Sequence, residues 1–325
     1  VFYTLGCVYP TLAMVEDPLA EYEAIPFSDD DLVPNPTKKS SSATKLPTNI
    51  PDLESASSSS SAPPAPVVAK PITSSLRATH SLLTSHGGFR ALFRALPFCL
   101  FVVKPPVLLV SVPVNILVGP RSAHLLTLFL FCQLHTTWVH MVITPPSPLP
   151  FWKRIPSLRR TLEATWFPTL VYWAALHSAM LIPYIIAIAV GITGLQNKHD
   201  WSAADNLYIL LVAIIAWCLS VAVVVPAETA LVRAQASLLS DEEGFQVATI
   251  VPFDRTFGGK VNCQGSERPK PFSMVKIAIG NVSRASWKRI VVQQLKLMGV
   301  MFAIVFGSGI IIGLQNLLLN LPYWD

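Results

Sequence analysis

NLYILLVAIIAWCLSVAVVVPAETALVRAQ, residues 206–235, decides the fold class. From Asn206 to Ala227 the stretch carries no charged side chain. It is long enough to cross a hydrocarbon layer about 30 Å thick as one helix. A helix at a water-facing surface needs a polar stripe, and this one has none, so it reads as a membrane span. Pro226 marks its expected end, and the charges Glu228 and Arg233 follow at once.

Working outward, runs of the same kind lie at about 96–118, 123–144, 170–195 and 297–319. Residues 1–16, VFYTLGCVYPTLAMVE, read as the remnant of a truncated first membrane segment, which brings the expected total to about six spans. The run 96–118 carries Lys104, Pro105, Pro106 and Pro113 and is expected to be kinked. Composition agrees: 52% of residues are apolar and 13% charged, against about 25% charged in an ordinary soluble domain. The mean hydropathy is +0.50. The expected fold is therefore an all-α membrane protein.

Between the remnant and the first long run the chain changes character. Residues 17–70 are acidic at first and then rich in Ser and Pro, with the run Ser57 to Ser61. Such a segment buries too little apolar surface to offset its ordering entropy, so about 33–70 is expected to be a disordered tether. Residues 71–325 form the expected multi-helix membrane domain, opening with a short amphipathic surface helix broken at Gly87-Gly88. Lys and Arg crowd three connections, before 96, between 144 and 170, and between 228 and 297. The positive-inside rule puts those three on one side of the membrane. Basic residues flanking spans suit anionic lipid headgroups rather than nucleic acid. The five cysteines form no C-x-x-C pair, so neither a disulfide framework nor a zinc site is expected.

The layout is periodic. Each basic connection is expected to follow an apolar helix ending at proline (Pro10, Pro145/Pro146, Pro226) and to lead into an amphipathic helix opening at Pro71, Pro156 or Pro271. This gives three repeats of helix, loop, surface helix and helix. Two motifs go further: Pro226-Ala-Glu228…Arg233-Ala-Gln235, and Gly88-Phe-Arg-Ala91-Leu-Phe-Arg94-Ala95. On these the chain resembles the mitochondrial carrier family. That family's odd helices end in a Pro-x-acidic…basic-x-Gln pattern. Its matrix helices lead into a Gly-x-x-Gly-aromatic-type motif. Ala stands here where Gly is usual. The resemblance implies a small-solute transporter of the mitochondrial inner membrane, with an endomembrane as the alternative. It also implies a ring of salt bridges closing one side of a cavity. The first repeat has Leu12 in the acid position and the second has Pro148, although Lys153 stands at the basic spacing. A broader resemblance, carried by residues 135–157, 226–239 and 250–261, is to multi-pass membrane proteins of filamentous fungi, some of them labelled ubiquitin carrier proteins. No cysteine here has the exposed setting that conjugation chemistry needs.

Candidate functional residues follow from chemistry that is expensive in lipid. Glu228 and Arg233, with Gln235 and Lys153, are candidates for a gate; the plain alternative is snorkelling at the membrane surface. His135, His140, Gln133 and His177 are polar groups inside apolar runs. They either line a cavity or hydrogen-bond between helices. Gly309 and Gly313 form a G-x-x-x-G suited to close helix contact. No catalytic constellation, metal set or cofactor motif is read from the sequence. The function expected is a carrier-like transporter, with a structural or organising membrane protein that recruits lipid or protein partners as the alternative.

Overall fold

The computed structural model describes residues 3–17, 72–146, 150–191, 203–239, 249–254, 256–257, 260 and 271–319. The acidic and Ser/Pro-rich tether expected over 17–70 lies outside them apart from Asp17. Among the described residues all regular elements are helical. We number them α1 (Thr4–Val15), α2 (Leu76–Ala91), α3 (Leu96–Val118), α4 (Pro120–Leu130), α5 (Cys132–Ile143), α6 (Leu158–Ala189), α7 (203–236), α8 (Pro271–Gly280) and α9 (Arg284–Leu319).

Three described helices are long and apolar enough to cross a membrane: α3, α6 and the 210–236 part of α7. A fourth span results if α4 and α5, bent by 62° at Phe131, count as one. This departs from the expected six. The run 123–144 is broken in the middle. The run 297–319 lies within α9, where many side chains, including the surroundings of Gly309 and Gly313, fall outside the described residues.

The exterior of the bundle is far more apolar than that of a water-soluble protein, and some polar side chains lie inside. On α3, Leu109, Ile116 and Leu117 are 77–81% exposed. Thr136, Thr137, Thr165 and Thr229 are fully buried between helices. An exterior this apolar needs lipid around it, consistent with an integral membrane protein. The buried hydroxyls cost little because each donates to the carbonyl one turn back: Thr136 to Cys132, Thr137 to Gln133, Thr165 to Thr161 and Thr229 to Val225, at 2.7–2.8 Å.

The prolines correct the sequence reading. Pro10 and Pro226 do not end their helices. Each follows a π-helical turn, Thr4–Val8 or Ser220–Val224, and the helix continues beyond it to Val15 or Ala236. A third such turn, Cys99–Val103, precedes Pro105 and Pro106. In all three the residue before or just ahead of the proline bonds five residues back: Tyr9 N to Thr4 O, Lys104 N to Cys99 O, and Val225 N to Ser220 O. The wider turn makes room for a ring that would clash with the carbonyl four residues back. Only Pro145 and Pro146 follow a helix end, that of α5.

The surface helices also depart from a uniform repeat. In the first connection α2 is broken at Gly87 and Gly88 (φ +61° at Gly88), and α3 begins after a short turn. In the third, α8 and α9 are separated at residues 281–283. In the second, Leu158–Ala189 is one uninterrupted helix, preceded only by the 3₁₀ turn Phe151–Arg154.

Candidate functional site

A cavity of about 210 Å³ lies between α1, α4, α5, α6 and α7. Helical spacing explains its lining. Glu228, Leu231, Val232 and Gln235 recur at the three- and four-residue steps that share one helix face. Cys7 and Thr11 do the same on α1, and Thr169 and Tyr172 on α6. His124 and Leu128 come from α4, Cys132, His135 and Trp138 from α5. The bend at Phe131 turns both half-helices toward the same space.

Glu228 is the one carboxylate among the lining residues, and none of them is Lys or Arg. It is half-buried, facing the cavity, and has no hydrogen bond or ion pair among the described residues. His135 is held by Gln235: its Nδ1 lies 3.0 and 3.2 Å from the two amide atoms of that side chain. Either Nδ1–H donates to Oε1 or the amide N–H donates to Nδ1. His124 Nδ1 stands 3.2 Å from His177 Nε2, one ring donating to the other, with the Trp173 ring 4.9 Å from that of His177.

The gate expected from sequence does not form as expected. Five residues turn an α-helix through about 140°, so Glu228 and Arg233 project from different faces of α7. Arg233 is 2% exposed. Its Nη1 donates to the Met14 carbonyl at 3.3 Å, and its guanidinium lies 5.6 and 5.4 Å from the ring centres of Phe253 and Phe257. Its Nε and Nη2 make no hydrogen bond. Lys153 is exposed on its 3₁₀ turn; the neighbouring Arg154 instead donates to the Thr144 hydroxyl. Of the expected cavity residues His135 lines the space, as does Gln235, which was expected at the gate. His177 reaches it through His124. His140 is buried away from it, its Nε2 2.8 Å from the Gln235 carbonyl oxygen. Gln133 turns outward and donates to the Pro156 carbonyl at 2.5 Å.

Sequence reasoning missed a second polar cluster, at the end of α1. A helix leaves its last carbonyls without intrahelical partners, and cations are favoured there. Arg233 binds Met14 O, and Arg289 Nη2 binds Glu16 O at 2.9 Å and Ala13 O at 3.4 Å. Arg289 Nη1 also forms a 2.7 Å ion pair with the fully buried Glu16 carboxylate. That carboxylate further accepts from Ile72 N at 2.8 Å and from the amide and hydroxyl of Thr73. Asp17 N donates to Pro252 O, and Ile250 N to Ile143 O. The ends of α1, α5 and α7 and the start of α9 are thus tied together on the side of the basic connections. Nearby, outside the spans, burial and then the charge of Arg154 pull the Arg94 guanidinium down to about 10. Glu16 looks in the sequence like the first residue of an acidic stretch; its distance from Arg289 along the chain hides the pairing.

Among the described residues no three His, Cys, Asp or Glu side chains converge closely enough to hold a metal ion. No protein-family model, curated protein or solved structure matches this chain.

Proposed function

We propose that the protein is a carrier-like membrane transporter that moves a small solute through the cavity between α1, α4, α5, α6 and α7. The observation that carries this reading is a cavity with polar and ionisable side chains in its lining, inside a bundle whose exterior is apolar. Polar and ionisable groups are costly at membrane depth and mark solute or ion paths. Glu228, His135, Gln235 and Tyr172 would contact the solute. The cluster around Glu16, Arg233 and Arg289 would hold the basic side closed, in place of the salt-bridge ring of the resembled family. That resemblance favours the mitochondrial inner membrane, and the basic connections suit anionic lipid on their side.

A second reading has one observation in its favour. Glu228 and Arg233 are not paired, so the family's gate is missing from the repeat whose motif matches best. On that reading the chain organises lipid or protein partners and transports nothing. Proteoliposome uptake of a panel of small anions, cations and zwitterions separates the two. The transporter reading expects uptake of at least one solute, with the rate reduced by His135→Ala. No uptake of any solute by folded protein overturns it.

A further inference from the structure

We infer that the cavity selects a small organic cation, an amine or quaternary ammonium compound, with Glu228 as its counter-ion. The inference deepens the transporter reading and rests on it for the claim of movement, but not for the claim of binding.

The first argument is the charge balance. Of the lining side chains, Glu228 alone carries a formal charge when the imidazoles are neutral. A carboxylate placed at membrane depth without a partner carries a large desolvation cost. In a folded chain such groups either take up a proton or pair with a charge of opposite sign. Among the described lining residues none is a cationic partner: α1, α4, α5 and α6 present Cys7, Thr11, His124, His135, Trp138, Thr169 and Tyr172 toward this space. Lys104 on α3 is exposed and is not among the lining residues. Arg233 faces the other side of α7 and is bound to Met14 O.

The second argument is the rest of the lining. The two imidazoles of the lining are already engaged. His124 is bonded to His177 and His135 to Gln235. Trp138 uses its indole N–H on the Tyr3 hydroxyl at 2.8 Å. What remains to meet a ligand is one carboxylate, the Tyr172 phenol, the Thr169 hydroxyl, two thiols and the aromatic rings of Tyr172 and Trp138. Aromatic faces beside one carboxylate are the chemistry that recognises ammonium groups. An anion would meet no cationic donor here. The volume, about 210 Å³, holds roughly seven waters at about 30 Å³ each, which limits the ligand to a compact one.

Two native thiols in the lining, Cys7 and Cys132, report occupancy. Full-length protein in nanodiscs would be labelled with a maleimide, and labelling at each cysteine followed by peptide mass spectrometry. The probes are tetramethylammonium, propylammonium, propionate and propanol. The expected result is that the two cations slow labelling of Cys7 and Cys132, while Cys218 is unaffected and propionate and propanol do nothing. Glu228→Gln should weaken cation protection by about tenfold or more, a shift of 1.4 kcal/mol or more. Glu228→Asp, which keeps the charge, should retain most of it and shows that the site tolerates change. Protection by propionate, unchanged protection in Glu228→Gln, or no protection by either cation overturns the inference. If cations protect but proteoliposomes take up nothing, the transport reading fails and the cation site stands. If an anion is transported, the reverse holds.

Discussion

At the scale of single residues, the side chains with most at stake are the buried charges. Glu16 is fully buried and Arg289 nearly so, and they neutralise each other at 2.7 Å. Removing one partner strands the other. Glu16→Ala should cost about 3–5 kcal/mol, read as a lower thermal midpoint in detergent, whereas Glu16→Met with Arg289→Met should recover most of the loss. A double variant no more stable than the single one would show that the loss does not come from stranding Arg289. Arg233 is held differently, by a carbonyl and two aromatic rings. Arg233→Lys keeps the charge but loses the flat guanidinium between Phe253 and Phe257, so a loss of about 1–2 kcal/mol is expected. The polar residues were partly legible in the sequence. An imidazole inside an apolar run stands out, which found His135, and the Arg233-Ala-Gln235 motif drew attention to Gln235, though as a gate residue. Tyr172, Cys7 and Cys132 did not stand out, because they look like ordinary core side chains until the helices are assembled.

At the scale of elements, local geometry explains where the sequence reading succeeded and where it did not. Apolar runs and the Gly87-Gly88 break could be read directly, because length and glycine content are local properties. The prolines were misread as stops. A proline removes one backbone donor, but a π-helical turn ahead of it absorbs the ring and lets the helix run on. The bend at Phe131 has no proline or glycine to announce it. Two glycines give opposite expectations. Gly119 joins α3 to α4 at φ +82°, with nothing within 4 Å of an added Cβ. Gly119→Ala should therefore cost about 1–2 kcal/mol through backbone strain alone. Gly299 sits inside α9 with equally open surroundings, so Gly299→Ala should stabilise by up to about 1 kcal/mol. Thermal unfolding of both variants checks the signs; the same sign for both would mean that φ at Gly119 is not what sets its cost.

At the scale of the whole molecule, the distribution of charge predicts sidedness. Single cysteines introduced at Lys45, Gly265 and Lys198 in intact vesicles should label from opposite sides, the first two together and the third apart; all three from one side would refute the expected topology. The pairing of Glu16 with Arg289 was out of reach of any local pattern, since only the assembled bundle brings the first helix to the last. The buried threonines carry one more consequence. Because each hydroxyl is bonded within its own helix, these faces present neighbours with methyl groups and spent donors. The helices resemble smooth rods fastened by a few pins: Tyr3 to Trp138, His140 to Gln235, and Arg289 to Glu16. Sliding one rod past another breaks these and the few other inter-helix bonds, among them His135 to Gln235, His124 to His177 and Arg233 to Met14, so the resistance of the bundle to shear is concentrated in a limited set of side chains.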